Sequence, residues 1–266
     1  MRQMSNHPQP MMPCASRKLP DCLYRDTKDK ALLCRIAATR TGAELLLEQG
    51  ALACLSSMQV LDRHPDIKTL STAASMDFYP SISSRYMQIL FPALNFCDAI
   101  LTSLGTKNQS CTAQVLHFLM SHNDTVNLVL HSGSPYIQLI FLKELARLTC
   151  IISRASQQDV WLVCEPESGG VTQLHRMQQL MLALFPSFVV SQALLQELSG
   201  AQEGGDAHNS QVVKSVLWFF RIACNLVLFA RNIVASQGVD HRATRVIFKP
   251  TLGESRTVER RFRGGM

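Results

Sequence analysis

Cysteine and histidine residues follow one another in one stretch of the chain, and these residue types could together bind a metal ion. Cys111, His117 and His122 are spaced as C-x5-H-x4-H, and His131 comes shortly after them. Structural zinc sites use tighter pairs of ligands, and on a helix these positions would point in different directions. The sequence therefore predicts no metal ligands here, only ordinary helix and loop residues.

A serine near a histidine is the next candidate for chemistry, because the two together could hydrolyse an ester. The segment HSGSP, residues 131–135, partly matches a nucleophile elbow. It lacks the second glycine of G-x-S-x-G and the preceding strand that supports such a turn. Ser134 is better explained as a helix N-cap, with Pro135 at the first helical position.

Acidic residues and glycine-rich segments are the remaining candidates for a catalytic or phosphate-binding site. Asp77, Glu165 and Glu167 lie in loops beside prolines, and no second carboxylate is spaced to make an acid–base pair. The segments SGG and EGG lack the lysine and the strand–helix context of a phosphate-binding loop. The sequence predicts no catalytic residue, no cofactor and no small-molecule substrate.

The positive charge of the chain is concentrated at its two ends. Residues 1–30 hold six Lys/Arg against three Asp/Glu, and residues 239–266 hold seven against three. Residues 31–238 hold thirteen against fourteen, whereas a nucleic-acid groove needs clustered cations to displace counterions from phosphates. The tail sequence ERRFRGGM could contact RNA or an acidic partner, but one Arg-Gly-Gly is common in disordered tails. No specific nucleic-acid binding is predicted.

Cysteine usage and hydrophobicity indicate a soluble chain with free thiols. Nine cysteines occur in 266 residues and none is spaced as C-x-x-C, which is typical of a reduced intracellular protein. The N-terminal segment lacks the continuous apolar run of a signal peptide. The longest uncharged window, residues 177–196, contains four Gln and Pro186 and is too polar for a membrane span. The sequence therefore predicts no transmembrane segment.

Apolar residues recur at intervals of three and four along most of the chain, which predicts an all-α fold. The strongest pattern lies at residues 83–104, where Pro92 is expected to kink or split the helix. A short apolar stripe is formed by Leu32, Leu33, Ile36 and Ala37, and further helices are predicted at residues 110–121, 124–131, 135–154, 171–185, 187–199 and 210–236. Residues 1–26 are interpreted as a flexible leader, 27–238 as the helical region and 239–266 as a basic irregular tail.

Short helices joined by tight turns are typical of a stacked solenoid. Gly50 separates two leucine-rich blocks, and a left-handed glycine there would end one helix just before the next begins. A similar pattern surrounds Gly133, and the separation of the two glycines is close to twice the ~40-residue period of HEAT or armadillo units. The predicted architecture is an α-solenoid of this HEAT/armadillo type.

The last predicted helix is apolar on almost every side. Its strongly polar residues between 212 and 234 are Lys214, Arg221, Asn225, Arg231 and Asn232. Such a helix must be covered by its own chain or by a partner. Trp218 and Phe220 are the candidate partner-binding residues, with membership of the core as the alternative.

Three long segments, residues 31–67, 76–130 and 212–234, carry a resemblance to a known family. They begin ALLCRIAATR, MDFYPSISSR and VVKSVLWFFR, and the likeness extends over residues 28–238. The chain resembles the C-terminal portion of the large inner-ring scaffold nucleoporins, the 186/192/205 family. The resemblance implies an extended α-solenoid that binds other inner-ring and linker nucleoporins, in the nuclear pore complex at the nuclear envelope, without enzymatic activity or cofactor. The family's chains are several times longer than this one.

The resemblance favours a structural constituent of the pore that scaffolds nucleocytoplasmic transport. Two other hypotheses stay open. One is a soluble armadillo- or HEAT-like adaptor that binds cargo or regulatory partners. It would differ from a pore scaffold in its location, giving a diffuse, exchanging signal rather than a stable ring at the nuclear rim. The other is a hydrolase that uses Ser134 and His131.

Overall fold

Helices make up almost all of the described fold in the computed structural model. The structure describes residues 27–65, 82–105, 108–133, 138–156, 170–190 and 206–236. In chain order the helices are α1 (Thr27–Ala37), α2 (Arg40–Glu48), α3 (Ala51–Ser56), α4 (Ile82–Leu104), α5 (Gln109–Ser121), α6 (Asn123–His131), α7 (Leu139–Ala155), α8 (Gly170–Phe185) and α9 (Asp206–Ser236). A 3-10 helix, Gln59–Asp62, follows α3, and a π-helical turn, Pro186–Val190, continues α8. No strand occurs among these residues, so the all-α prediction is confirmed for the described part of the chain.

Local sequence signals set several of the helix ends. The Thr39 side chain caps α2 by accepting a hydrogen bond from the backbone nitrogen of Gly42 at 3.2 Å. Asn108 caps α5 in the same way, accepting from the backbone nitrogen of Cys111 at 3.0 Å. Gly50, between α2 and α3, has a φ of 72°, which is the left-handed conformation that was predicted there.

The helices pack in two adjacent rows. In the first row, α1 and α2 lie against α4, α4 lies against α7, and α7 lies against α9. In the second row, α3 lies against α5, and both α5 and α6 lie against α8. The rows meet where α4 contacts α5, α6 contacts α7 and α8 contacts α9. Helix α7 therefore has neighbours on several sides and forms the centre of the described fold.

Polar contacts fix the relative direction of the helices in the first row. Between α4 and α7, Asn95 pairs with Arg147 and Thr102 pairs with Arg154, each at a separation of 52 residues. Between α7 and α9, Asn225 and Asn232 donate to backbone oxygens that each precede them by 79 residues. Because the paired residue numbers increase together, α4, α7 and α9 run parallel to one another.

Most of the residues predicted to be apolar contacts belong to one continuous core. Buried members are Leu46, Leu52 and Leu55 of the leucine-rich blocks, Leu90, Leu94, Cys97, Ile100 and Leu101 of α4, and Phe141, Leu145, Leu148 and Ile152 of α7. The stripe predicted in α1 is only partly correct. Ala37 is fully buried, but Leu32 is 55% exposed and Ile36 lies at the surface, because α1 buries one side against α4 and α2.

Pro92 lies inside α4 without splitting it. The helix is continuous over 23 residues from Ile82 to Leu104. A proline inside a helix costs about 3 kcal/mol, because it removes a backbone hydrogen bond and crowds the preceding turn. Here Leu90 and Leu94, on either side of it, are both buried against neighbouring helices, and this packing offsets the cost. Of the two expectations, a kink or a split, the split was therefore wrong.

The segment around Gly133 differs from the one around Gly50, although their sequences look alike. Among the described residues only Gly50 and Gly105 have positive φ values, so Gly133 is not a left-handed helix stop. A Cβ atom at Gly133 would lie 2.6 Å from Leu184 Cδ2 and 3.1 Å from Leu145 Cδ2. Glycine at this position therefore permits the close contact of α6 with α7 and α8.

Some predicted helix bounds extend outside the described residues. The helix predicted at residues 135–154 is observed from Leu139 to Ala155, and the proposed cap Ser134–Pro135 falls outside the described ranges. The helix predicted at 187–199 overlaps the π-helical turn that ends at Val190, and its remainder also lies outside them. The other predicted helices match α5, α6, α8 and α9 to within a few residues.

Two helices have the length and composition of membrane spans. They are Arg85–Leu104 within α4 and Val213–Ala235 within α9, with mean hydropathies of 1.3 and 1.6. Within this fold α4 packs against α1, α2, α5 and α7, and α9 packs against α7 and α8. Asn225 and Asn232 of α9 are buried and donate hydrogen bonds to α7. Core helices of a helical protein have the same composition, because they are covered on several sides.

Candidate partner-binding site

A buried histidine–glutamate pair is the most chemically suggestive contact in the described structure. His64 Nε2 lies 3.0 Å from Glu144 Oε1, and His64 Nδ1 lies 2.9 Å from the backbone oxygen of Pro65. The two side chains are only 2% and 1% exposed. Both neighbours of the imidazole are hydrogen-bond acceptors. The pair has no access to a substrate, and its geometry is that of a structural contact.

The same region contains a second histidine whose two nitrogens are occupied. His122 Nδ1 lies 2.7 Å from Asp62 Oδ1, and His122 Nε2 lies 3.0 Å from the backbone oxygen of Leu55. The backbone oxygen of Leu61 accepts from Tyr86 at 2.9 Å and from Thr125 at 2.8 Å. Together with the His64–Glu144 pair, these contacts attach the 3-10 helix to α4, α5, α6 and α7. We call this cluster the polar junction.

Of the histidines and the cysteine that were considered as metal ligands, only His122 belongs to the polar junction. His122 uses both ring nitrogens within the chain, whereas His117 and His131 are exposed on α5 and α6. Cys111 is completely buried, and burial raises the pKa of its thiol to about 11, which keeps it protonated. Within the described ranges no group of three His, Cys, Asp or Glu residues is arranged to hold a metal ion.

On the other side of α7, an arginine is held between aromatic rings. The Arg147 guanidinium carbon lies 4.4 Å from the centroid of the Phe91 ring and 5.7 Å from that of Trp218. Its Nε donates to Asn95 Oδ1 at 2.8 Å, but its Nη1 is buried without a hydrogen-bond partner. Burial and the nearby Arg221 guanidinium lower the pKa of Arg147. Arg147 therefore contacts α4 and α9 instead of projecting freely into solvent.

A polar cavity lies beside this arginine, between α4, α7 and α9. It measures about 150 Å³, and its lining residues are Leu94, Asn95, Asp98, Arg147, Cys150, Trp218 and Arg221. The Asp98 carboxylate is already engaged, because Arg154 Nε lies 3.1 Å away and the Cys150 thiol donates to it at 3.6 Å. Arg221 lies with its guanidinium carbon 5.7 Å from the centroid of the Trp218 ring. We call this site the arginine cavity.

The outer side of α9 next to the arginine cavity carries exposed apolar residues. Val213, Leu217, Phe220 and Val227 are between 50% and 63% exposed and follow one another at spacings of three, four and seven residues. Phe220, one of the two candidate residues, belongs to this set. Trp218, the other candidate, is only partly buried and packs against the core. We call the four exposed residues the α9 stripe.

Comparison with known proteins identifies the family. Residues 29–156, which include α1 to α7 and the polar junction, match the family described as nuclear pore complex scaffold, nucleoporins 186/192/205. The chain belongs to this family. A scaffold is a structural role, and it agrees with the burial of His64 and Glu144 in the polar junction.

Two relatives in this nucleoporin family match most of the chain. The nuclear pore complex protein Nup205 of Drosophila melanogaster is 35% identical over 237 residues, which is 87% of this chain and 11% of the relative. The protein of the same name from Homo sapiens is 30% identical over 243 residues, 88% of this chain and 12% of the relative. The chain therefore spans about a ninth of the length of the nucleoporins that it matches.

The arginine cavity was missed by sequence reasoning, although the sequence contains a signal for it. Arg147 and Arg154 are seven residues apart on α7, and Asn95 and Thr102 are seven apart on α4. Polar residues repeated at this spacing lie on one side of a helix and indicate a polar seam between apolar helices. The candidates Asp77, Glu165 and Glu167 lie outside the described residues.

Proposed function

We propose that this chain is a structural segment of the inner ring of the nuclear pore complex, located at the nuclear envelope. It contributes a portion of an α-solenoid that holds other inner-ring and linker nucleoporins in place during nucleocytoplasmic transport. The family membership supports the scaffold role. The parallel arrangement of α4, α7 and α9 supports the solenoid.

The parallel first row is the observation that carries this proposal. In a solenoid, equivalent helices of successive repeats stack side by side and run in the same direction, while the intervening helices form a second row. Helices α4, α7 and α9 meet the first condition, because their contacts keep constant separations of 52 and 79 residues. Helices α5, α6 and α8 lie in the second row between them along the chain.

The α9 stripe is the surface on which we place partner contact. A row of exposed apolar side chains at helical spacing fits an apolar segment of another protein, and binding there removes both surfaces from water. Phe220 and Leu217 are the most exposed large side chains at its centre. Trp218 lies behind them, where its ring contacts Arg147 and Arg221.

Fluorescence microscopy of the tagged 266-residue chain in cells tests the scaffold role. We expect a stable ring at the nuclear rim that recovers slowly after photobleaching, and co-purification of inner-ring nucleoporins. A diffuse, rapidly exchanging signal would instead support the soluble adaptor and contradict the scaffold.

Aspartate substitutions test the surface separately from the fold. Phe220→Asp and Leu217→Asp should leave the helical circular dichroism unchanged and reduce co-purification of nucleoporins. The matched control is Leu45→Asp on α2, since Leu45 is 54% exposed but lies far along the row from α9. Equal loss of partners in the control and in both stripe variants would show that the α9 stripe has no special role.

A further inference from the structure

The arginine cavity has the charge of an anion site. Arg147 and Arg221 both line it, and the one lining carboxylate, Asp98, is paired with Arg154. Among the described residues, neither Arg147 nor Arg221 has a carboxylate within salt-bridge distance. These three arginines and one aspartate leave an excess of two positive charges around a cavity of about 150 Å³. One water needs about 10–15 Å³ measured in this way, so a carboxylate group fits.

The arginine that would bind the anion is held rigidly before any ligand arrives. The Phe91 ring lies on its guanidinium, and the Asn95 side chain accepts from its Nε at 2.8 Å. Nη1 remains buried and without a partner. A buried donor with no acceptor costs about 1–3 kcal/mol, and an acceptor that enters the cavity recovers that cost. A planar carboxylate is well matched to the geometry of a guanidinium.

We infer that the arginine cavity binds the carboxylate of an aspartate or glutamate side chain from a partner polypeptide, whose adjacent apolar residues lie on the α9 stripe. Leu217 is four residues before Arg221, so that an apolar and a charged contact are adjacent on the same helix. The partner segment therefore carries one acidic residue flanked by apolar residues, and the carboxylate sets its register. This inference rests on the proposed function, because it specifies the chemistry of the partner at the same surface.

Peptide selection on the purified 266-residue chain tests the inference. The probe is a phage-displayed library of random 16-residue peptides, selected on the wild-type chain, on the Arg147→Met/Arg221→Met variant and on Arg231→Met. Arg231 is an exposed arginine of α9 that does not line the cavity, so its substitution is the matched control. We expect the wild type and the control to enrich peptides with one fixed acidic residue flanked by apolar residues, and the double variant to lose that enrichment.

A thermodynamic cycle on one selected peptide gives the decisive measurement. Replacing its acidic residue by the corresponding amide should weaken binding to the wild type about tenfold or more, as expected for a charge-assisted hydrogen bond. The same replacement should change binding to Arg147→Met/Arg221→Met by less than about twofold. Circular dichroism and thermal unfolding confirm that each variant is folded.

Several results of the peptide selection and of the cycle would overturn the inference. They are an empty selection on the folded wild-type chain, selected peptides without a fixed acidic residue, and an equal effect of the amide replacement on wild type and double variant. Displacement of the peptide by inorganic phosphate but not by acetate would also contradict it, since the site would then favour phosphate. A wild-type chain that gives the nuclear-rim signal but selects no such peptide would reject this inference alone, and absence of the rim signal would reject the proposed function.

Discussion

The polar junction and the arginine cavity lie on the two sides of α7 and use polar residues in opposite ways. Glu144 and Arg147 are three residues apart on this helix, yet Glu144 is 1% exposed and fully paired, while Arg147 leaves one nitrogen without a partner. The cavity next to the junction measures about 20 Å³, and the arginine cavity measures about 150 Å³. One side of the helix is closed by its own chain, and the other has space for an additional group.

The difference shows how the pairing of polar groups separates structural from binding sites. In the junction each histidine nitrogen has an acceptor within 3.0 Å, so the cluster needs nothing from outside. In the arginine cavity two guanidinium groups repel each other and share no carboxylate of their own. A buried polar group with a complete set of partners stabilises the fold, whereas an incomplete set indicates a ligand.

Removal of the glutamate from the polar junction should have the largest effect on stability. We expect Glu144→Ala to lower the free energy of unfolding by about 3–5 kcal/mol, because it leaves His64 buried beside an empty space. Urea unfolding followed by circular dichroism measures the change. The double variant His64→Phe/Glu144→Leu should recover part of the loss, since it removes both polar groups together. A loss below about 1 kcal/mol for Glu144→Ala would show that the junction is not closed.

Removal of the amides between α7 and α9 should have an intermediate effect. Asn225 Nδ2 donates to the Ala146 oxygen at 2.9 Å and Asn232 Nδ2 donates to the Ser153 oxygen at 2.9 Å. Replacing either asparagine by alanine removes the two hydrogen bonds that its side chain donates and should cost about 1–3 kcal/mol. The two variants should have similar unfolding midpoints, because their contacts are repeated. A large difference between them would contradict the regular parallel packing of α7 and α9.

Arg147→Met should change stability least, within about 1 kcal/mol, although it lies only one turn from Glu144. The substitution loses the contact with Asn95 and part of the ring stacking, but it removes a buried unpaired donor and the repulsion from Arg221. Urea unfolding of Arg147→Met beside Glu144→Ala compares the two sides of one helix directly. If both variants are equally destabilised, the arginine is as structural as the glutamate.

Thiol labelling distinguishes the two sides without any change in stability. Cys224 lies exposed on α9, while Cys97 and Cys111 are fully buried in the core. Burial raises the pKa of the Cys111 thiol to about 11, and alkylation requires the thiolate. Iodoacetamide at pH 8 should modify Cys224 and spare the other two, as measured by mass spectrometry of peptides. Cys224→Ser is the control, and modification of Cys97 at the same rate as Cys224 would argue against the described burial.

The sequence predicted the helices and much of the core, because three- and four-residue periodicity is a local property. It predicted the left-handed Gly50 for the same reason, whereas the exposure of Leu32 depended on which side of α1 meets α4. The polar junction had no local signal, since His64 and Glu144 are 80 residues apart. Their contact follows only from the packing of the 3-10 helix and its flanking residues on α7.

The candidate site was predicted in outline and not in its chemistry. Trp218 and Phe220 were predicted as partner contacts because they lie on an almost wholly apolar helix. The Phe220 side chain is indeed about half exposed. The role of Arg147 depended on the register between α4, α7 and α9, which no single segment encodes. Whether Trp218 and Phe220 bind a partner stays a prediction for the substitutions described above.

The two asparagines on α9 are seven residues apart, and together they fix the position of α9 along α7. Asn225 and Asn232 are separated by two helical turns, about 10 Å along the axis, and so are the backbone oxygens that they contact. Sliding α9 by a single turn would break both contacts together. Small displacements of α9 along α7 therefore lead to no stable intermediate position. Mechanical load along the row would therefore be resisted until both contacts break together.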